Sequence, residues 1–457
     1  MYVTLLFDVE DLVDPRSDDS ALSTARIFSE EGAPATMMIV GEKVRLWEAR
    51  GRSDVIAAMR EHDCGLHTNR HSIHLTVAEY LEGKGWEDGI EEVVAQEASG
   101  VEAMVRVLGR APSCWGRGGS TWGPQVAPAL KRLGIPAMVY TFTHLGSRQL
   151  PMHRFCDCLS YYWYYGGFDE AFSDAAAYEA AAAAAAEHLG QCAREGVPWV
   201  GLFVCHPTKL RAKAFWDALN FSHGLNTPRE CWRLPEYRSE AEWDRAQANL
   251  RRFARMLANM PGVQLRTIAE MNRLVAPEPT TVSAAILRAQ AERAARAPQI
   301  DCTEPVLSPA ERLYLWALLY LNPGAEAITW RYVEGPTQEP PALPGERVLE
   351  PAQLRSAARQ PCEEVGRSGR LPASLLCAQS QIGPGALYRA LAAALADPSK
   401  PVRVRPGPEV PQLGEQLAQQ VRQGIPGWMH KPQLDVSSHA ALTRLQSWTL
   451  KPVQLLG

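Results

Sequence analysis

Residues 1 to about 275 predict an α/β fold with a parallel sheet or barrel, and residues 281–457 predict a mainly helical region. Three observations carry this. Short apolar runs alternate with segments of helical spacing through the first part. Acidic and histidine clusters fall at or just beyond the ends of those apolar runs, where α/β folds collect their chemistry. Pro277-Glu278-Pro279 then punctuates the chain, and helix formers predominate beyond it.

The elements follow in order. Tyr2 to Phe7 is an apolar run with β-branched and aromatic members, suited to a buried strand. Ser20 to Glu31 has helical spacing through Leu22, Ala25, Ile27 and Phe28 and stops at Gly32. Ala35 to Val40 reads as a second strand and Asp54 to Glu61 as a second helix. Later come a helix over Pro124 to Leu133, a strand at Ala137 to Thr141, an alanine-rich helix around Ala180 to Ala186, and a strand at Trp199 to Cys205.

The second half has two proline-rich joints, Pro336 to Pro351 and Pro406 to Pro411. It also carries a threefold pattern in which a helical stretch leads to a proline and, about ten residues later, to a second helix. The copies run from Pro298 to Leu307, Pro372 to Ile382 and Pro426 to Val436.

Bulk composition narrows the function. A chain of 457 residues favours two or more domains. With 46% hydrophobic and 21% charged residues it reads as an ordinary globular protein. A net charge of -4 offers no global basic field, so nucleic acid is not an expected partner. No apolar run reaches the ~20 residues of a membrane span, and no signal peptide is visible at Met1. Ten cysteines without a CxxC pair read as reduced thiols, Cys156-x-Cys158 being the closest two. The expected location is cytoplasmic, unless a leader has been removed.

Four patches carry chemistry. The first is Phe7-Asp8-Val9-Glu10-Asp11 at the end of the first strand. Three carboxylates in four positions repel one another unless a cation or a proton compensates. On a strand, Asp8 and Glu10 project to one face, and Asp11 joins them only if the backbone turns. The second patch is Glu61-His62-Asp63-Cys64-Gly65-Leu66-His67-Thr68-Asn69-Arg70-His71, with His74 three residues on. Imidazoles at i and i+4 share a helical face, and a turn can also converge them on one ion. The third is Cys114-Trp115-Gly116-Arg117-Gly118-Gly119-Ser120, and the fourth is the apolar strand that ends at His206-Pro207.

An early strand ending in acids, followed by Gly65-Leu66-His67-Thr68-x-x-His71, resembles the polysaccharide deacetylases of carbohydrate esterase family 4. The resemblance implies an irregular (β/α) barrel and a metal-dependent hydrolase of C–N amide bonds, with a divalent metal, zinc first. By position, Asp8 matches the catalytic base, His67 and His71 the metal imidazoles, and His206 the general acid. Arg117 matches the arginine that holds the base ionised. Val9 separates acids that are adjacent in most of that family; Glu10 is then the expected carboxylate ligand and Asp11 the reserve. The proline expected after Arg117 is missing, and the loop is one residue short. Trp115, Trp122, Tyr140 and Trp163 are candidates to line a sugar-stacking cleft.

The implied substrate is an N-acetylated amino sugar or polysaccharide. A small amide or cyclic ureide of the allantoinase-like branch is the second reading, and a non-catalytic carbohydrate binder the third. The second half, clearest over Val348 to Ala396 around Gly369-Arg370-Leu371-Pro372, resembles pseudomurein-binding-type repeats, which implies carbohydrate binding. A structural or dimerising α-domain, giving a homo-oligomer, is the other reading.

Overall fold

The computed structural model describes every residue except Gly146, Ser147, Trp163, Pro298, Ala378 and Gly457. The chain divides into two compact units: residues 1–152, 158–274 and 423–436 form the first, and 153–157, 275–422 and 437–457 the second. The candidates Trp163 and Pro298 lie outside the described residues.

The first unit is built on a curled sheet. Its strands are β1 (Tyr2–Val9), β2 (Ala35–Ile39), β3 (Asp63–Leu66), β4 (Trp115–Gly116), β5 (Ala137–Val139), β6 (Cys158–Tyr161), β7 (Tyr164–Gly166), β8 (Trp199–Cys205) and β9 (Gln264–Leu265). Eight lie in the order β6-β5-β4-β3-β2-β1-β8-β7, and β9 pairs with the start of β1. All these pairings are parallel. Parallel strands need crossovers, and helices supply most of them: Ser17–Glu30 between β1 and β2, Ser53–Arg60 before β3, Trp86–Ala103 before β4, Val126–Arg132 before β5 and Ala175–Arg194 before β8. The result is an irregular, half-barrel form of α/β architecture whose strands all point one way.

β1 sits at the centre and is buried from Val3 to Val9, which is why its sequence is a continuous apolar run rather than an alternating one. The register shifts between Leu6 and Phe7 where β1 meets β8. Such an irregularity turns the strand end and re-aims the side chains beyond it. Gly65 in β3 is fixed by packing. A Cβ there would lie 2.5 Å from Met38 Sδ and 2.7 Å from Cys114 Sγ, so only hydrogen fits between β2 and β4.

The second unit holds three consecutive helix pairs: Ala284–Arg296 with Pro309–Leu321, Pro351–Ser368 with Pro384–Ala394, and Leu413–Gly424 with Ser437–Gln446. Their connectors differ. The second contains a hairpin, Leu375–Cys377 with Ser380–Ile382, whereas most of the third, residues 423–436, belongs to the first unit. A separate apolar core around Leu313, Trp316, Tyr388 and Leu391 holds the helices together. Within it Lys451, 4% exposed, donates to Glu311 (3.1 Å) and Glu278 (2.6 Å). All ten cysteines are free thiols. Among the described residues, no helix is long and apolar enough to cross a membrane.

Candidate active site

The C-terminal ends of β1, β3 and β8 place their next side chains around one cavity. Asp8 and Glu10 leave β1 on one face, as the two-residue strand period requires. After β3 the chain passes through His67 into a tight loop rather than a helix. Thr68 (φ 55°) and His71 (φ 52°) are both left-handed there, and the His71 N–H donates to Thr68 Oγ1 at 2.8 Å. Left-handed backbone is unfavourable for such residues and persists where surrounding structure enforces it, most often at functional sites. Here it folds His71 back beside His67, with ring centroids 4.9 Å apart.

Glu10 Oε2 lies 3.0 Å from His71 Nε2 and 3.5 Å from His67 Nε2. Three donors around one tetrahedral zinc, each at about 2.0–2.1 Å, are separated by about 3.3 Å. The two separations from Glu10 bracket that value, and all three ligand atoms lie within 4.8 Å of one another. The surroundings also fit. His71 Nδ1 meets Ser72 Oγ at 2.6 Å, and Ser72 Oγ donates to Asp217 Oδ2 at 2.8 Å. A proton on Nδ1 leaves the Nε2 lone pair for the site, where buried Nε2 faces Glu10 Oε2. Trp216 Nε1 donates to Glu10 Oε1 at 3.3 Å, leaving Oε2 to face the imidazoles. Two imidazoles and a carboxylate suit zinc or another first-row divalent ion.

The electrostatics point the same way. Burial works against charge on Glu10, but His71 and His206 hold its carboxyl well below the usual range. Burial likewise opposes a charged His71, yet Glu10, Asp217 and Asp8 raise it above its ordinary value. The pocket therefore has an anionic excess that a proton or a cation must balance.

Asp8 stands beside this cluster, its Oδ2 3.6 Å from His67 Nε2 and 3.8 Å from His206 Nε2. Burial raises its carboxyl above the ordinary value, with His67 and His206 opposing. Tyr140, also left-handed (φ 59°), donates its hydroxyl to Asp8 Oδ1 at 3.3 Å. His206 is held from behind: Asp169 accepts from its backbone N–H (2.7 Å) and meets its Nδ1 at 2.9 Å. Burial disfavours the imidazolium, but Glu10, Asp169 and Asp8 together raise His206 to about 10. Phe203 and Phe215 present their rings near-perpendicular to His206 at 4.9 and 4.8 Å.

The cavity in front of these groups measures about 540 Å³. Besides the catalytic candidates, Gly119, Phe203, Phe215, Asp217, Ala218 and Trp428 line it. Trp428 comes from the 423–436 stretch, whose sequence pattern (Pro426 to Val436) reads as a helix-proline-helix copy and gives no sign of a place in this cavity.

Not every candidate joins the cluster. Asp11 is turned aside: its Oδ1 accepts from the N–H groups of Val13 and Asp14 and its Oδ2 from Thr208 Oγ1. It closes the loop after β1 and offers nothing to the imidazoles. Arg117 does reach the cavity, but it donates to the carbonyls of Tyr140 and Gly119 and lies 4.4 Å over the Phe142 ring. The hydrogen bond that reaches Asp8 comes from Tyr140 instead. Trp115 is fully buried with Nε1 on Glu97, and Trp122 is buried edge-on to Phe142, so neither is a cleft residue.

The glycine that follows Arg117, where the expected proline is missing, packs against His71. A Cβ at Gly118 would lie 2.6 Å from His71 Cδ2 and 3.0 Å from His71 Nε2. Asp169 and Trp428 are the functional candidates that sequence reasoning missed. Asp169 sits in an unremarkable Phe-Asp-Glu stretch 37 residues before its histidine, and only the pairing of β7 with β8 brings them together.

No protein-family model matches this sequence, nor does any curated protein sequence. Among solved structures, the chain is similar to the family 4 carbohydrate esterase from Streptomyces lividans (16% identity over 57% of this chain and 90% of that one, TM-score 0.32). It is also similar to PuuE allantoinase (12% identity, 60% and 89%, TM-score 0.38). A third is the 4-alpha-glucanotransferase from Thermococcus litoralis (11% identity, 58% of this chain, TM-score 0.39). The chain spans only 39% of that last protein's length.

Proposed function

We propose that this chain is a metal-dependent hydrolase of C–N amide bonds. The observation that carries the reading is the convergence of Glu10, His67 and His71 into one donor triangle, with Asp8 and His206 beside it at the mouth of a cavity. A divalent ion held by Glu10, His67 and His71 would supply Lewis acidity and water of lowered pKa.

The protein's own groups then account for the proton transfers. Asp8 Oδ2 takes one proton from the attacking water, and burial makes it a stronger base than a solvated aspartate. Tyr140 orients Asp8 through its other oxygen. As water oxygen bonds to the acyl carbon and the C–N bond breaks, the nitrogen needs a proton to leave as an amine. His206 Nε2 donates it, while Asp169 keeps the opposite nitrogen protonated and the ring in place. The sum is an amide plus water giving a carboxylic acid plus an amine.

The resemblance offers an N-acetylated amino sugar as substrate, and a cyclic ureide second. An amide screen on zinc-loaded protein tests the reading, with Asp8→Asn as control. Hydrolysis that falls about 10²–10⁴-fold in the variant supports an enzyme. Carbohydrate binding that is equal in both forms, without turnover in either, would instead support a binding protein on this fold.

A further inference from the structure

We propose, building on the hydrolase reading, that the substrate is an amide whose amine portion is aromatic or alkyl rather than a sugar, and that Trp428 from the 423–436 segment is a specificity-determining wall of its site. The argument begins at His206. The group that protonates the leaving nitrogen has Phe203 and Phe215 packed edge-on against it at 4.9 and 4.8 Å. Whatever departs with that nitrogen sits against those rings. Ala218 and Trp428 continue the same lining. A sugar brings several hydroxyls, each needing a partner when it leaves water. Of the polar side chains that also line the cavity, Asp217 is bonded to Ser72 and the Ala218 amide, Arg117 to two carbonyls and Tyr140 to Asp8, while Phe203, Phe215 and Ala218 offer none from their side chains. An aryl or alkyl group requires no such partners and gains from leaving water.

Trp428 is held in place on both sides. Its carbonyl accepts from the His223 N–H at 2.5 Å. The next residue, Met429, is fully buried and fills the space beside Gly119, where a Cβ would lie 2.5 Å from Met429 Cε. His430 then bonds Thr76 Oγ1 at 3.1 Å, and the Lys431 N–H donates to Glu79 Oε1 at 3.1 Å. The indole itself remains 40% exposed. A half-exposed aromatic on a fixed backbone is pre-organised for contact with a ligand, since little ordering remains to be done on binding.

The test compares equilibrium binding of acetanilide and N-acetylglucosamine to the zinc-treated full chain, in an Asp8→Asn background that blocks turnover. Acetanilide should bind at least about tenfold more tightly. That preference should shrink to about twofold in Trp428→Ala combined with Phe215→Ala, and persist in Trp428→Phe. N-acetylglucosamine binding as tightly as acetanilide overturns the inference without any further variant, and so does a preference that survives the double substitution. Zinc uptake by the same samples reports separately on the hydrolase reading. A chain that takes up zinc and prefers the sugar overturns only the present inference. One that prefers acetanilide without taking up zinc overturns only the hydrolase reading.

Discussion

Gly118→Ala should weaken metal binding without altering a single charge or ligand. The added methyl carbon would stand 2.6 Å from His71 Cδ2, whereas unbonded carbons rest at about 3.5–4.0 Å. One side must retreat by about 1 Å. Residue 118 follows Arg117, which is tied to the Tyr140 and Gly119 carbonyls, so the imidazole is the part that gives. Ligand distances in a working site tolerate only about 0.2 Å. Displacing His71 should therefore lower zinc affinity about 10–100-fold, the range seen when groups that orient a ligand are lost, or about 1.4–2.8 kcal/mol. Competition against a chromophoric chelator measures this, with circular dichroism to confirm folding. Gly119→Ala is the contrasting variant: its methyl meets the flexible end of Met429 rather than a ligand, and its cost is backbone strain at φ 52°, which should lower stability and leave zinc affinity within about twofold of the parent. A folded Gly118→Ala protein that takes up zinc within about twofold of the parent would refute the assignment of His71 as a ligand.

Three further outcomes are expected. Asp169→Asn should lower kcat about 10²-fold with little change in KM, because it removes the carboxylate that holds His206 as an acid; an unchanged kcat refutes that role. The Glu79–His74 pair (2.6 Å) makes stability pH-dependent. Burial opposes charge on Glu79, but His74 and the Thr76 and Lys431 amides hold it at about 2, so its contribution is complete above the usual value of 4.5 and lost as pH falls towards 2. His74 is raised, despite burial, by Glu79 and the Phe221 carbonyl, so its contribution is present below 6.5 and lost as pH rises through its folded value. Urea titrations of parent and Glu79→Gln should thus differ most, by about 1–2 kcal/mol after solvent screening, between about pH 4.5 and 6.5; a pH-independent difference excludes the linkage. Lys451→Met should destabilise the second unit by roughly 3–5 kcal/mol, since it leaves Glu311 buried and unpaired. Thermal unfolding of that unit at the parent temperature would contradict this.

What could be read from sequence was local. Trp199 to Cys205 matches its strand to the residue because a doubly buried strand is a continuous apolar run bounded by polar and proline residues. Strand periodicity sets Asp8 and Glu10 on one face and leaves Asp11 to join them only if the backbone turns, and in the structure Asp11 instead accepts from the Val13 and Asp14 amides. The convergence of His67 with His71 was legible, though not its means, since two left-handed residues at 68 and 71 carry no sequence signal of their own. Strands as short as β4, two residues long, have no period to detect. Nothing local therefore separates Trp115, a buried residue bonded to Glu97, from an aromatic that lines a cleft. Asp169 and Trp428 depend on tertiary pairing, and no window of neighbouring residues contains that information.

The 423–436 segment also bears on how the protein is made. Synthesis delivers Asp8, Glu10, His67 and His71 long before Trp428, with most of the second unit made in between. Domains usually fold in order as they emerge. Here the first unit must hold a place open through nearly 150 residues of the second, residues 275–422, before its last wall arrives. A nascent chain arrested before residue 428 would already carry the donor triangle but lack the surface proposed to choose what enters. Selectivity would then be acquired later than the capacity to bind metal, only once the chain beyond residue 422 has been made.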